Sequence, residues 1–196
     1  MQHKKSRFSV LPDEELMLHL CNGEVPAFDE IYHRYSKQLL GYFTRMLNFD
    51  KGLAEDALQD LFMKIAEDPE KFDASRSFKT WIFSIASNSC KNFYRHQAVV
   101  ANSKEELNYL GERSNNDEFL KAASRMDAKE FRRILDEALN ELAPEKKEAF
   151  ILKYQEDKSI SDIAFIQNCP EGSVKSRLHY TLKILEEKLK IFNPSN

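Results

Sequence analysis

Aromatic and basic residues interleave between positions 78 and 95, where Phe78, Lys79, Trp81, Phe83, Lys91, Phe93, Tyr94 and Arg95 follow one another with no acid among them. Indeed, no acidic residue occurs between Asp73 and Glu105. Rings that stack on unpaired bases and cations that track a phosphate backbone are what single-stranded nucleic acid requires. At helical spacing Phe78, Ile82, Ile85, Ser89 and Phe93 share one side, while Phe83, Ser87, Asn88, Lys91, Tyr94 and Arg95 share the other. Trp81 and Phe83 suit a core equally well, since aromatic stripes are usually packed inside.

The segment just before has the opposite charge. Residues 54–70 carry six acids and one lysine. Ala54, Ala57, Leu58, Leu61, Phe62 and Ile65 make a wide apolar stripe on a helix, and Asp56, Gln59, Asp60 and Met63 lie on its far side. Such a face suits docking on a basic partner helix, or plain solvation. An acidic block beside a basic one points to two different partners.

A third set lies near the C-terminus. Ser159-Ile160-Ser161-Asp162 has the form of a capping box at a helix start. Asn168 tolerates the left-handed backbone of a tight turn, and Pro170 with Glu171 suits the opening of a second helix. In that helix Val174, Leu178, Leu182, Leu185 and Leu189 form the expected buried stripe. Ser173, Ser176, Tyr180 and Lys183 then point outward, flanked by Lys175 and Arg177. Small polar side chains flanked by bases suit major-groove entry, with hydroxyls at base edges and cations on phosphates. A merely solvated amphipathic helix fits the same periodicity.

These sets need helices to hold them, and the composition agrees. Only five Gly and six Pro interrupt the 196 residues, which favours helices over a many-turned β fold. Acids follow Pro12 in a helix-start pattern, Pro26 opens a segment with Phe28, Ile31, Tyr32, Tyr35 and Leu39 at helical spacing, and further helices run from Ala54 and from about Ser77 to His96. Residues 98–128 are rich in Asn, Ser and charge and poor in apolar residues, so they read as a linker. Helical spacing restarts with Phe131, Ile134, Leu135, Ala138 and Leu142. The expected fold is all-α: a helical domain over 1–97, a linker over 98–128, and a smaller helix-turn-helix domain over 129–196.

Several classes are excluded. No apolar run is long enough to span a bilayer, and no apolar signal core follows the basic N-terminus. Cys21, Cys90 and Cys169 are far apart and form no CxxC pair, which implies free thiols in a reducing cytoplasm. Neither a phosphate loop, nor a nucleophile–base pair, nor a metal set is present, so the chain reads as a non-enzyme without cofactor or metal. A net charge of −3 argues against tight DNA binding by the chain alone.

Taken together, the three segments resemble an extracytoplasmic-function (ECF) sigma factor over nearly the whole chain. AEDALQDLFMKIAEDPEKFD at 54–73 is similar to the segment with which that family grips the clamp of core RNA polymerase, with Asp56 and Gln59 on its D-x-x-Q-E pattern and Asp60 in place of the usual Glu. SFKTWIFSIASNSCKNFYRH at 77–96 resembles the promoter-melting and −10-reading segment, with Trp81-Ile82 and Ala86-Ser87-Asn88 at its landmarks. SISDIAFIQNCPEGSVKSRLHYTLKILEEKL at 159–189 resembles the −35-reading helix-turn-helix, and GSVKSRL at 172–178 is close to the family's G-T-V-K-S-R-L. Gln167 and Asn168 replace the usual Leu-Gly, and Ala143 replaces a Pro that comes one place later as Pro144.

The resemblance implies Asp56, Gln59, Asp60 and Met63 for core polymerase, and Phe72, Phe78, Lys79, Trp81, Asn88, Lys91, Tyr94 and Arg95 for the −10 element. For the −35 element it implies Glu171, Ser173, Lys175, Ser176, Arg177 and Tyr180. The implied partners are core RNA polymerase, promoter DNA and the anti-sigma factor common in the family. A helix-turn-helix activator or a polymerase-binding adaptor is the alternative, and neither uses all three sets.

Overall fold

A computed structural model describes residues 7–105 and 128–190. The described residues form helices α1 (Asp13–Cys21), α2 (Val25–Met46), α3 (Lys51–Glu67), α4 (Phe78–Glu105), α5 (Ala128–Asn140), α6 (Pro144–Tyr154), α7 (Ile160–Gln167) and α8 (Glu171–Leu189). Short 3-10 turns at Arg7–Val10 and Pro69–Lys71 complete them. The all-α fold in two helical units is borne out.

The N-terminal unit is built on α2, whose buried residues Ala27, Ile31, Tyr35, Leu39, Tyr42, Phe43 and Met46 recur every three or four positions. Leu58, Leu61, Phe62 and Ile65 of α3 and Phe78, Ile82 and Ala86 of α4 close on it. Asp50 caps α3 by accepting from the Leu53 amide at 3.0 Å. The start of α4 carries no acid of its own, and Glu14 of α1 supplies the cap, accepting from the Phe78 amide at 2.9 Å.

In the C-terminal unit α5, α6 and α7 pack around α8. The capping box at Ser159 and Asp162 is formed, with both reciprocal bonds present. Asn168 takes the left-handed conformation at φ 51 and ψ 56, as expected of an Asn in this turn. Pro170 stands as the N-cap of α8, one place before the helix starts.

Two expectations change. The buried stripe of α8 is Val174, Leu178, Thr181 and Leu185, and Leu182 is 42% exposed. At 100° per residue, position 181 continues the 174–178–185 stripe better than 182 does, and the backbone oxygen of Lys146 accepts from the Thr181 hydroxyl. Second, α4 does not stop near His96 but runs to Glu105, through the first residues of the segment read as a linker. Residues 106–127 of that segment lie outside the described residues.

The two units share one core. Ile163 and Ile166 of α7 and Val174 and Leu178 of α8 belong to the same apolar cluster as α2, α3 and α4. Packing of α7 along α4 and of α6 against α2 makes the join.

Candidate nucleic-acid interface

The three residue sets sit on α3, on α4 with Phe72 in the loop before it, and on α8. On α3, Asp56, Gln59, Asp60 and Met63 are all exposed, with Met63 at 49%. Ala54, Leu58, Leu61 and Ile65 fix the opposite side, so the four cannot turn inward. Neither aspartate makes an ion pair among the described residues. Beside them a groove of about 550 Å³ is lined by Phe28, Tyr32, Leu58, Gln59, Phe62 and Met63. The Tyr32 ring stands 4.7 Å from that of Phe62 and is itself exposed. Sequence reasoning had placed Phe28 and Tyr32 only in a helical stripe; Tyr32, at the edge of that stripe, lies beside the acidic face.

On α4 the candidates divide. Lys79, Asn88 and Arg95 are exposed, and Trp81 is half-buried. Phe78 is fully buried and Phe72 is 8% exposed, which corrects their reading as stacking surfaces. Their rings meet edge to face at 5.4 Å, and Trp81 lies 5.1 Å from Phe72 and 5.7 Å from Phe78. The two phenylalanines are thus the floor on which Trp81 rests. Position 78 also touches Tyr35 of α2 at 5.3 Å, which makes it a hinge-pin of the unit's packing.

Lys91 and Tyr94 are half-buried and already engaged. Tyr94 donates its hydroxyl to the backbone oxygen of Met46, and burial pushes its pKa up to about 12. Lys91 donates from Nζ to the backbone oxygen of Gln167 at 3.2 Å. Phe83 and Ser87, expected on the open face, are fully buried. Phe83 packs edge to face against Tyr42 of α2 at 5.5 Å and lies under Lys158 of the turn before α7.

On α8, Glu171, Lys175, Ser176 and Tyr180 are exposed and Ser173 is half-buried. Lys175 and Glu171 pair loosely at 3.8 Å, one turn apart. Arg177 is less free than expected: its Nη1 donates to Gln167 Oε1 at 2.7 Å and to Cys169 Sγ at 3.2 Å. Gln167 in turn donates to the Glu145 backbone oxygen at 3.0 Å and to Glu148 Oε2 at 2.9 Å. Gln167 thus forms a buried hydrogen-bond network that braces α6, α7 and α8 together.

Sequence reasoning missed the seam between the units. Glu156, in the turn before α7, accepts from Gln38 Nε2 at 2.7 Å and pairs with Arg45, both on α2. Glu148 Oε1 accepts from the Tyr42 hydroxyl at 2.6 Å. Lys147 Nζ donates to Asn48 Oδ1 at 2.7 Å, Asn140 Oδ1 at 2.8 Å and the Met46 backbone oxygen at 3.3 Å. Lys158 Nζ sits 4.0 Å from the centroid of the Phe83 ring. Thr80 donates to Asp162 Oδ1 at 2.9 Å. Burial works against the Asp162 carboxylate, yet hydrogen bonds from Ser159 and Thr80 hold it below its ordinary range. Burial pushes both Lys147 and Lys158 down to about 8. Lys, Glu and Gln read as solvent-facing types, so no local signal marks these positions.

Two family models match the chain, one in each unit. The family model for Sigma-70 region 2 matches residues 31–99, and that for Sigma-70 region 4 matches residues 132–185. The ECF RNA polymerase sigma-E factor of Haemophilus influenzae is 28% identical over 183 residues, covering 91% of this chain and 96% of its own. The chain belongs to the ECF sigma factors. The sigma-E factor of Escherichia coli is 26% identical to it over 91% of the chain and 95% of its own length. The RNA polymerase sigma factor CarQ of Myxococcus xanthus is 27% identical over 86% of the chain and 92% of its own.

Two solved structures share the fold of this sigma factor. RpoE of Bartonella quintana, in complex with the anti-sigma factor NepR, has a TM-score of 0.65 at 23% identity, covering 83% of this chain and 96% of its own. CnrH, in complex with the cytosolic domain of CnrY, has a TM-score of 0.66 at 20% identity, covering 91% and 97%. Among the described residues, no helix is long and apolar enough to cross a membrane.

Proposed function

We propose that this sigma factor docks on core RNA polymerase through the exposed face of α3, opens and reads the −10 element with α4, and reads the −35 element with α8. The observation that carries the reading is the placement of three chemically distinct faces on three helices whose opposite sides are buried. Asp56, Gln59, Asp60 and Met63 stand clear of the core on α3. Lys79, Asn88 and Arg95 stand clear on α4, with Trp81 propped against Phe72 and Phe78. Lys175, Ser176 and Tyr180 stand clear on α8, which follows the capped helix α7 across the Asn168 turn.

Each face has its own chemistry. Asn88 donates to and accepts from the Watson–Crick edge of an unstacked base, and the exposed cations follow the strand. Ser176 meets base edges in the major groove, while Lys175 takes a phosphate or a base. Arg177, held by Gln167 and Cys169, braces the turn rather than reaching far. Trp81, Lys91 and Tyr94 belong to the −10 set, Lys91 once its bond to Gln167 is released. A helix-turn-helix activator would leave the α3 face idle, and an adaptor would leave both DNA faces idle.

As partners the reading takes core polymerase and promoter DNA, and by likeness to the RpoE–NepR complex an anti-sigma factor. The work is that of an initiation factor in the cytoplasm rather than an enzyme. Run-off transcription with core polymerase on genomic fragments tests it. Discrete start sites that depend on the protein are expected. A full set of starts without it, or none with it, would refute the reading.

A further inference from the structure

We propose, resting on the reading of α8 as the −35 helix, that His179 stands beside Ser176 on its groove-facing side and sets a guanine preference at a second base pair, while Lys183 takes a phosphate beyond it. The sequence pattern does not single out His179; the observed burial of α8 brings it forward. The inner side runs through Val174, Leu178, Thr181 and Leu185. At 100° per residue the opposite axis passes within about 10° of Ser176 and Lys183, with His179 and Tyr180 about 50° to either side. A stripe through Leu182 and Leu189 in place of Thr181 would have left Tyr180 about 20° and His179 about 80° from that axis. The exchange of Leu182 for Thr181 thus turns the open face toward His179.

The two flanking rings differ in what already holds them. Tyr180 is engaged from α6, where Lys146 Nζ stands 5.8 Å from its ring centroid. His179 is exposed and meets the Tyr180 ring edge to face at 5.4 Å, which steadies the imidazole. Its nitrogens make no hydrogen bond or ion pair among the described residues. Lys175 and Lys183 lie one turn to either side of it, and both are exposed. Acids stand farther off, Glu171 near the helix start, loosely paired with Lys175 at 3.8 Å, and Glu186 and Glu187 past Lys183. An N–H donor set between cations suits the most acceptor-rich base edge. In the major groove that edge is guanine, whose N7 and O6 both accept and which presents no donor there. His179 lies about 4.5 Å farther along α8 than Ser176, so the two fall on different base pairs. Lys183 is about 6 Å beyond His179 and, with its longer side chain, meets the backbone where the helix leaves the groove.

Holoenzyme transcription from promoters randomised at the −35 element tests this, with Ser176→Ala, His179→Ala and Lys183→Ala beside wild type. All three side chains are exposed, so thermal melts of the variants should match wild type. His179→Ala should lose a guanine preference at one position by about fivefold or more, the fold-change of a single hydrogen bond. Ser176→Ala should change a different position. Lys183→Ala should weaken all sequences alike and flatten the salt dependence of promoter binding by about one unit of slope. Wild-type preference in His179→Ala beside a shifted preference in Ser176→Ala would overturn the proposal and leave α8 as the reader. A loss in His179→Ala confined to the position that Ser176→Ala changes would overturn it too, as would altered base preference in Lys183→Ala. If neither Ser176→Ala nor His179→Ala changed any position, the reading of α8 itself would fall.

Discussion

Lys91, on the base-rich face of α4, donates from Nζ to the backbone oxygen of Gln167 at the C-terminal end of α7. A cation suited to a DNA backbone is thus held by the carbonyl end of a helix in the other unit, where the helix dipole favours positive charge. This bond joins α4, the proposed −10 reader, to α7, the helix that precedes the proposed −35 reader α8.

Charge reversal on α3 should separate polymerase binding from stability. Asp56→Lys with Asp60→Lys is expected to weaken affinity for core polymerase by about tenfold or more, through lost charge complementarity. Both side chains are exposed, so stability should change by no more than about 0.5 kcal/mol each. Competition binding against a labelled sigma factor, with a thermal melt of the same sample, checks both halves.

Phe78 and Asn88 should fail in opposite ways. Truncating the fully buried ring with Phe78→Ala is expected to cost about 3–5 kcal/mol of stability in urea melts. Asn88→Ala should leave the melt within about 0.5 kcal/mol of wild type and slow promoter opening instead. Equal promoter opening by Asn88→Ala holoenzyme would remove that residue from the site.

The turn between α7 and α8 makes a sharper stability test. Asn168 sits at φ 51, where a Cβ-bearing residue without a compensating side chain is strained. Asn168→Ala should cost about 1–2 kcal/mol. Asn168→Gly should be close to neutral, because glycine enters this conformation freely. Chemical denaturation of the three proteins side by side distinguishes the outcomes.

Stability should depend on pH. Lys147 faces Cys90 and Asp136, and Lys158 faces Lys79, Asp162 and Glu156, with burial the main cause of both lowered values. In the unfolded chain both lysines hold their protons to about 10.5. Between about pH 8 and 10 the folded form sheds protons that the unfolded form keeps, so these two groups make the fold more stable as the pH rises. Urea melts should show that gain in the wild type and a smaller one in Lys158→Met. An equal pH dependence in the two proteins would refute the assignment.

What the sequence made legible follows from what is local. Spacing of Ile31, Tyr35 and Leu39, the capping box at Ser159, and the left-handed Asn168 all depend on near neighbours, and the structure has each of them. The outward faces of α3 and α8 followed from their apolar stripes, apart from the exchange of Leu182 for Thr181. Burial of Phe83 was not legible, since it depends on Tyr42 of α2 and on Lys158, both far from it along the chain. Nor was the seam, because Lys147, Glu148, Glu156 and Lys158 are residue types that normally face water and are buried here only by partners in the other unit. Phe78 carried both meanings at once: an aromatic among bases suggests stacking, and its contacts with Tyr35, Phe72 and Trp81 make it core.

The central claim is a division of labour in which α4 reads the −10 element and α8 the −35 element. Transcription from a promoter library randomised at both elements tests it most directly, with Asn88→Ala and Ser176→Ala holoenzymes compared with wild type. The account predicts that Asn88→Ala changes base preference only at the −10 element and Ser176→Ala only at the −35 element, each by about 1–3 kcal/mol at one position. Preferences identical to wild type at both elements, or a shift at the opposite element, would contradict it.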